Sequence, residues 1–347
     1  MQHKKGVLVV DDSSIMRHLI KDVVEQDESL RVVGTANNGR DAVMQNESLR
    51  PDILLLDMNM GGYDGLFAVK QIMNGPAPVP IIILSALGNT DMDPILTALK
   101  EGAFDYVNKS ADHHSDIHAI KTVLFEKIRT ALATDVSALT AAKQLKSNTA
   151  PHTFEQQLAY DIICVGASTG GPSAVEAFVT KIPENLPVPI VITQHMPASF
   201  IPSFGQRLNS LTKKKVIIAK SGTLLEPGAI YLLPGGVNTV LREVHGKVKF
   251  RPTKMQFASY NEPSIDGLIS SAVDIFGRRC IGVIMTGMGR DGAEGMLRIH
   301  HAGGLTVAQS EESCVVYGMP KAANHLGAIQ HNIKLQELST FVISAIS

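Results

Sequence analysis

Short apolar runs alternate with amphipathic stretches along most of the chain, and no other feature limits its fold as strongly. Helical patterns follow these runs in the N-terminal part; Leu19, Ile20, Val23 and Val24, for example, recur at helical spacing after the first run. Strands that alternate with helices form a parallel sheet covered by helices on both faces. The runs predict five strands, at Gly6–Val10, Arg31–Thr35, Asp52–Asp57, Pro80–Leu84 and Phe104–Val107.

A second series of the same kind begins at Asp161. Its apolar runs predict strands at Ile162–Val165, Ile190–Thr193, Val216–Ala219, Ile281–Met285 and Leu305–Ala308. Three further runs between them predict short antiparallel strands, with His245-Gly246 as a turn, at Ala229–Leu233, Thr239–Glu243 and Lys247–Phe250. We therefore predict an α/β chain with two doubly wound parallel sheets, the second carrying a small antiparallel β insertion.

The two series are separated by a stretch of different composition. Ala, Thr, Ser, Gln and Lys dominate residues 130–157, and the polar run that ends at Pro151 is typical of a linker. A length of 347 residues suits two domains of about 150 residues each. We therefore predict domains at residues 1–128 and 159–347, joined by a linker at residues 129–158.

Charge and cysteine content exclude several classes of function. The 32 Lys and Arg residues balance 33 Asp and Glu residues, so the chain has no net positive charge that would attract nucleic acid or an anionic membrane. The three cysteines form no disulfide framework and no CxxC metal pair. The first apolar run ends at Asp11 after four residues, too short for a secretory signal, and no run approaches the ~20 apolar residues of a membrane span. We predict a cytoplasmic protein.

Acidic residues follow two strands of the first series. Asp11 and Asp12 come after the first predicted strand and Asp57 ends the third. Carboxyl ends of strands meet in one crevice of a doubly wound sheet, and clustered carboxylates suit Mg²⁺. Ser85 and Lys109, at the ends of the fourth and fifth strands, add a hydroxyl and an ammonium that suit a phosphoryl group. A single Asp at a strand end is more often a helix N-cap, but the joint placement favours a site.

The second series begins with a glycine-rich turn. The segment Gly166-Ala167-Ser168-Thr169-Gly170-Gly171-Pro172 follows an apolar strand and opens a helical pattern. Ser168 would then lie near a helix N-terminus, where N–H groups favour developing negative charge. The turn alone is compatible both with a nucleophilic serine and with a phosphate- or dinucleotide-binding loop.

Two further strand ends favour the nucleophile. His195 follows the strand at Ile190–Thr193, and Asp291 follows the strand at Ile281–Met285. Parallel strands bring Ser168, His195 and Asp291 to one sheet edge, as a Ser–His–Asp relay requires. Glycines flank Met288, so its backbone N–H is a candidate for an oxyanion hole.

Residues 1–128 resemble a response-regulator receiver domain, which has a flavodoxin-like fold. The resemblance rests on Val9-Val10-Asp11-Asp12-Ser13, Leu54-Leu55-Leu56-Asp57-Met58, Ile83-Leu84-Ser85-Ala86 and Phe104-Asp105-Tyr106-Val107-Asn108-Lys109. It implies Asp57 as phosphoacceptor, Mg²⁺ at Asp11, Asp12, Asp57 and the Asn59 backbone, phosphoryl contacts from Ser85 and Lys109, and Tyr106 as a switch residue. The chain departs from the family at Gly61 and Ser110, where proline is usual.

Residues 159–347 resemble the catalytic domain of the chemotaxis protein-glutamate methylesterases, a Rossmann-like α/β domain. Besides the serine turn, the resemblance rests on Gln194-His195-Met196-Pro197, Pro263-Ser264-Ile265-Asp266, Thr286-Gly287-Met288-Gly289-Arg290-Asp291-Gly292 and Gly318-Met319-Pro320. It implies that Ser168, His195 and Asp291 are catalytic, with backbone N–H groups of Met288 and Thr169 around the oxyanion and no metal in the esterase site.

The combined resemblance implies a phosphorylation-activated esterase. Its substrates would be glutamate γ-methyl esters, and some glutamines, of methyl-accepting chemoreceptors, and a chemotaxis histidine kinase would supply the phosphoryl group. We expect a monomer that binds no nucleic acid and does not insert into membranes. Two other functions are weighed: a DNA-binding output, disfavoured because no basic helix-turn-helix pattern follows the first domain, and a signalling adaptor with an inactive esterase domain.

Overall fold

A computed structural model of the chain describes residues 4–85, 93–109, 120–141, 154, 158–257, 259 and 261–346. The chain divides into two compact units, Met1–Lys143 and Gln144–Ser347. Most of the predicted linker beyond residue 141 lies outside the described residues, as does Ser110. The early part of that stretch is helical, because the helix that begins at Lys121 continues to Leu132 and a short helix follows it.

The first unit is built on a five-stranded sheet in which every strand pair is parallel. Its strands are β1 (Lys5–Val10), β2 (Leu30–Ala36), β3 (Ile53–Asp57), β4 (Ile81–Ser85) and β5 (Asp105–Asn108). Its helices are α1 (Ser14–Val24), α2 (Gly39–Leu49), α3 (Gly65–Met73), α4 (Asp93–Lys100), α5 (Lys121–Leu132) and α6 (Val136–Ala141). The strand order β2-β1-β3-β4-β5 is the flavodoxin-like order, and it places the chain reversal between β1 and β3.

The second unit contains a seven-stranded parallel sheet and a separate hairpin. Its strands are β6 (Ile162–Ala167), β7 (Ile190–Gln194), β8 (Val216–Ile218), β9 (Ile230–Leu232), β10 (Asn238–Val244), β11 (Lys247–Thr253), β12 (Cys280–Ile284), β13 (Leu305–Gln309) and β14 (His331–Ile333). Its helices are α7 (Gly171–Val179), α8 (Ile201–Leu211), α9 (Ile265–Phe276), α10 (Ala293–His301), α11 (Met319–His325) and α12 (Leu335–Ser344). The sheet order β14-β13-β12-β6-β7-β9-β8 puts the chain reversal between β6 and β12.

The predicted fold class is confirmed, with one strand placed wrongly. Thr239–Glu243 and Lys247–Phe250 do pair antiparallel, as β10 and β11. Ala229–Leu233 does not belong to that insertion, because β9 pairs in parallel with both β7 and β8 inside the main sheet. A short apolar run next to a hairpin pattern does not indicate whether its strand is parallel or antiparallel to its neighbours. We therefore grouped this strand with the hairpin, whereas it pairs with β7 and β8.

Buried strands fix the position of the sites. Every residue of β3, β4, β6, β7 and β12 is buried, as expected for central strands with helices on both faces. Their apolar side chains pack into the core, so polar groups reach a ligand at the carboxyl ends of these strands, where Asp57 and Ser85 occupy the last positions of β3 and β4. Among the helices that the structure describes, none has the length and apolar character to cross a bilayer.

Candidate functional site

Ser168 lies on the turn between β6 and α7, at the chain reversal of the second sheet. Its backbone N–H donates to the carbonyl of Thr286 at 3.0 Å, and its carbonyl accepts from Gly171 N–H at 2.7 Å. Gly170 caps the helix with φ of 74°, a left-handed conformation that favours glycine. The turn therefore holds Ser168 at the carboxyl end of β6, just before the N-terminus of α7.

The loop after β12 packs directly against this turn. Thr286 Oγ1 donates to the carbonyl of Thr169 at 2.9 Å, which joins the two loops a second time. A Cβ atom at Gly287 would lie 2.8 Å from Ser168 Cβ, so a side chain there would collide with the serine. In the chain, Thr169 directly follows Ser168, and Met288 directly follows Gly287.

His195 follows β7, the strand next to β6. Its backbone N–H donates to the carbonyl of Ala167 at 3.0 Å. The buried side chain of Gln194 donates from Nε2 to the carbonyls of Ser168 (3.0 Å) and His195 (3.1 Å). The two strand ends are therefore held together by both backbone and side-chain hydrogen bonds, and the His195 ring is 2.8 Å from Asp291, measured from Nε2 to Oδ2.

Asp291 is fully buried and accepts five hydrogen bonds. Besides His195, its donors are the Ser264 hydroxyl (3.2 Å) and the backbone N–H groups of Ile265 (2.8 Å), Asp266 (3.1 Å) and Gly292 (3.0 Å). Ser264 is the N-cap of α9 and Ile265 begins it, so the carboxylate sits at a helix N-terminus, which stabilises negative charge. Burial alone would raise the pKa of Asp291, but the hydrogen bond and charge of His195 and these backbone donors lower it below its usual value.

The α9 N-terminus is the part of this site that sequence reasoning missed. Ser264 and Asp266 appear in the sequence only as part of a family motif, without a role. A local signal was present, because a serine followed by apolar residues at helical spacing is typical of a helix start. Nothing local indicates that this helix end meets a loop 25 residues farther along the chain.

The first unit gathers its acidic residues at the reversal between β1 and β3. Carboxylate oxygens of Asp11, Asp12 and Asp57 all lie within 4.8 Å of one another. Asp11 and Asp57 are buried, and Lys109 Nζ donates to both, at 2.6 Å and 2.8 Å. Asp12 is exposed. Asn59 N–H donates to Asp57 Oδ2 at 3.2 Å, so the backbone after β3 contributes to the same cluster.

This cluster fits a hard divalent cation. Burial raises the pKa of Asp57, and the charge and hydrogen bond of Lys109 only partly oppose this shift. Three carboxylates at this spacing offer the oxygen ligands that Mg²⁺ prefers, with one of them open to solvent. The structure thus brings Asp11, Asp12, Asp57, Asn59 and Lys109 together.

Ser85 and Tyr106 lie on the neighbouring strands. Ser85 ends β4, is buried, and its carbonyl accepts the Lys109 N–H at 2.8 Å. Tyr106 is buried within β5, and burial raises the pKa of its phenol well above the usual value. The departure at Gly61 is exposed, with no atom within 4 Å of the position a Cβ would take, so the backbone there does not require glycine for space.

Comparison with known proteins assigns a family to each half of the chain. Residues 163–342 match the family described as CheB methylesterase, and residues 7–121 match the response regulator receiver domain. The chain belongs to the CheB methylesterase family. Both resemblances noted in the sequence are thereby confirmed.

Two curated relatives match nearly the whole length of this chain. A protein-glutamate methylesterase/protein-glutamine glutaminase of Halalkalibacterium halodurans is 39% identical over 329 residues, which cover 93% of each chain. A Dechloromonas aromatica protein-glutamate methylesterase/protein-glutamine glutaminase 1 is 37% identical, with 100% of both chains covered. The crystal structure of the Thermotoga maritima CheB methylesterase catalytic domain covers 54% of this chain and 99% of that one, at 34% identity and a TM-score of 0.52.

Proposed function

We propose that this protein is a phosphorylation-activated serine esterase that hydrolyses glutamate γ-methyl esters on methyl-accepting chemoreceptors and releases methanol. It also deamidates receptor glutamines, the second activity in the names of its relatives. The contact between His195 and Asp291, beside the turn that carries Ser168, is the observation that carries the proposal. Burying a carboxylate costs free energy of folding. A buried carboxylate that orients a histidine beside a serine is the arrangement that a Ser–His–Asp relay requires.

The roles of the two His195 ring nitrogens follow from which of them is hydrogen-bonded to Asp291. Because Nε2 faces Asp291, Nδ1 is the nitrogen that accepts the Ser168 proton as Oγ attacks the ester carbonyl. Backbone N–H groups of Thr169 and Met288 donate to the oxyanion. The tetrahedral intermediate collapses, methanol leaves with the proton from His195, and an acyl-enzyme remains. His195 then takes a proton from water, which attacks the acyl carbon and frees Ser168.

Asp291 stays ionised throughout this cycle. Its five donors stabilise the carboxylate, so it fixes the ring and stabilises the imidazolium rather than taking up the proton. In deamidation the same steps expel ammonia instead of methanol.

The first unit acts as the receiver. Asp57 accepts a phosphoryl group from a chemotaxis histidine kinase, and Asp11, Asp12, Asp57 and the Asn59 backbone would hold Mg²⁺. A bound Mg²⁺ would offset the negative charge of the carboxylates and the phosphoryl oxygens. Ser85 and Lys109 contact the phosphoryl group, and Tyr106 changes its packing in response. Phosphorylation raises the esterase rate.

The arrangement of the chain completes the proposal. The receiver domain occupies residues 1–128, the linker residues 129–158, whose first part is helical, and the esterase domain residues 159–347. The protein works in the cytoplasm as a monomer, on the cytoplasmic helices of the receptors, without inserting into the membrane or binding nucleic acid.

Methanol release from methylated receptor membranes tests the proposal. We expect the full-length protein to release methanol, and a small phosphodonor with Mg²⁺ to increase the rate. Ser168→Ala should lower the rate by at least about a thousandfold, because it removes the nucleophile. Ser173→Ala, on α7, is the matched control and should keep wild-type activity, while Asp57→Asn should lose only the response to the phosphodonor. Retention of more than about a tenth of the activity in Ser168→Ala would remove this serine from its role.

A further inference from the structure

A second buried aspartate lies beside Asp291 and has no part in the relay described so far. Asp266 is 7% exposed and occupies the second position of α9. Its backbone N–H donates to Asp291 Oδ1 at 3.1 Å, and its carboxylate Oδ1 accepts the Gly295 N–H of α10 at 2.7 Å. The interaction of its side chain with the Asp291 carboxyl group is one of the causes that raise the pKa of Asp266. One side chain thus links the first turns of two helices to the acid that holds His195.

Two carboxyl groups in contact inside a buried site hold a proton between them, because two adjacent ionised groups would repel each other. The carboxyl group with fewer hydrogen-bond donors around it keeps the proton, because donors stabilise the ionised form. Asp291 accepts five hydrogen bonds, four from protein groups other than His195, whereas the described donor to the Asp266 carboxyl is the Gly295 N–H alone. The proton therefore belongs to Asp266.

The surrounding charges favour the same assignment. Besides burial, the charges of Asp291 and Glu294, both negative, raise the pKa of Asp266. The strands β6 and β12, which pack against α9, contain no charged residue. These two strands carry the buried thiols Cys164 and Cys280, and burial raises the pKa of both, so they stay neutral. The other charged or titratable side chains on elements packed against α9 are paired elsewhere, exposed or at the far end of α10: Arg298 (paired with Asp274), Arg242, Glu243, Arg278, Arg279 (paired with Asp161), His300 and His301.

We propose that Asp266 is a positioning residue for the esterase: in its protonated form it donates a hydrogen bond to Asp291 and so holds that carboxylate against His195. This inference rests on the proposed function. Burial raises the pKa of Asp266 to about 7, and the charges of Asp291 and Glu294 add to the shift against the opposing Gly295 hydrogen bond. Ionisation of Asp266 would turn this hydrogen bond into a repulsion, so the esterase should lose activity as pH rises through this range.

An asparagine can imitate the protonated acid but cannot ionise. In Asp266→Asn, the amide oxygen can accept from Gly295 and the amide nitrogen can donate to Asp291. Asp266→Ala removes both bonds. Asp274→Asn, on the exposed face of the same helix, is the matched control for a charge change on α9.

The experiment measures kcat and KM for methanol release between pH 5.5 and 9 with full-length protein, with wild type and Ser168→Ala first establishing the esterase. We expect Asp266→Asn to keep kcat within about threefold of wild type at low pH and to lose the alkaline decline. Asp266→Ala should lower kcat about tenfold or more with KM nearly unchanged, because the substrate contacts remain. Asp274→Asn should follow wild type.

An unchanged alkaline decline in Asp266→Asn, or a wild-type kcat in a folded Asp266→Ala, would overturn the proposal. A second readout does not depend on turnover and remains if the esterase assignment fails. A carboxyl whose pKa is raised on folding stabilises the protein at low pH, and this stabilisation is lost as pH rises through the folded pKa. The unfolding midpoint of wild type should therefore fall relative to Asp266→Asn between about pH 4 and about pH 7; a constant difference would show that Asp266 does not hold a proton in the folded protein.

Discussion

The two halves of the chain both bury aspartates at the reversal point of a parallel sheet, but they balance the charge by different means. In the receiver unit, Asp11 and Asp57 share one flexible cation, the Lys109 ammonium. In the esterase unit, Asp291 is held by His195 and by donors fixed to the backbone of α9 and the loop after β12. A lysine can move when another cation or a phosphoryl group enters, whereas helix N–H groups cannot.

The pKa shifts follow this difference. Burial dominates at Asp57, and the pKa of that carboxyl lies above its usual value despite Lys109. At Asp291 burial is outweighed by the hydrogen bonds, and the pKa lies below its usual value. The receiver site is therefore short of positive charge and prepared to take up a cation. The esterase site already holds a stable anion, as a group that must not change its protonation during catalysis requires.

The largest expected effect comes from removing the fixed anion. In Asp291→Asn, an NH₂ group replaces one of the two carboxylate oxygens. Both oxygens of Asp291 accept hydrogen bonds, so in either orientation of the amide the NH₂ group faces N–H or O–H donors. We expect kcat to fall on the order of 10⁴-fold, because His195 loses its orientation and its counter-charge. Methanol release measured beside Asp274→Asn, which should stay at the wild-type rate, checks this. A loss below about tenfold would mean that the α9 cap on Asp291 is structural only.

The sequence predicted the strands and the strand-end residues of both sites, but not the hydrogen bonds between α9 and Asp291. Most predicted strand limits lie within two residues of the observed ones, and the alternation pattern placed Asp57 and Ser168 at the carboxyl ends of strands, whereas the strand order that puts them beside the chain reversals came from the structure. The edge strand β14 was missed because His331-Asn332-Ile333 has neither an apolar run nor a period of two. The hydrogen bonds of Asp291 to α9 are long-range contacts that no local pattern specifies. The catalytic and phosphoryl-binding roles of individual residues stay predictions.

The flexible cation of the receiver offers the next comparison. Lys109→Met leaves two buried carboxylates without their shared partner, and we expect the free energy of unfolding to fall by about 3 kcal/mol at neutral pH with EDTA. Mg²⁺ should then stabilise the variant more than it stabilises wild type, because it replaces the lost positive charge. Denaturant unfolding with and without Mg²⁺ measures both effects, and Lys70→Met, at an exposed position of α3, is the control. Equal stabilisation of variant and wild type by Mg²⁺ would show that the cation does not bind beside Lys109.

The smallest effect, and the most direct test of the contrast, is the pH dependence of stability in EDTA. The folded pKa of Asp57 is raised above the unfolded value near 3.8, so this carboxyl stabilises the folded protein at low pH. That contribution is lost as pH rises from about 4 through the folded pKa, and the unfolding midpoint of wild type should fall relative to Asp57→Asn over this window.

The folded pKa of Asp291 is lowered, so the sign reverses: its contribution is present above about pH 4 and is lost as pH falls through the folded pKa. The stability advantage of wild type over Asp291→Asn should therefore shrink on acidification. Thermal unfolding of the three proteins from pH 3 to 8 separates the two cases, because the stability of wild type relative to Asp57→Asn should fall as pH rises, whereas its stability relative to Asp291→Asn should fall as pH falls. Curves with the same sign for both variants would mean that Lys109 compensates Asp57 as fully as the helix N-terminus compensates Asp291, and the distinction between an exchangeable and a fixed counter-charge would not hold.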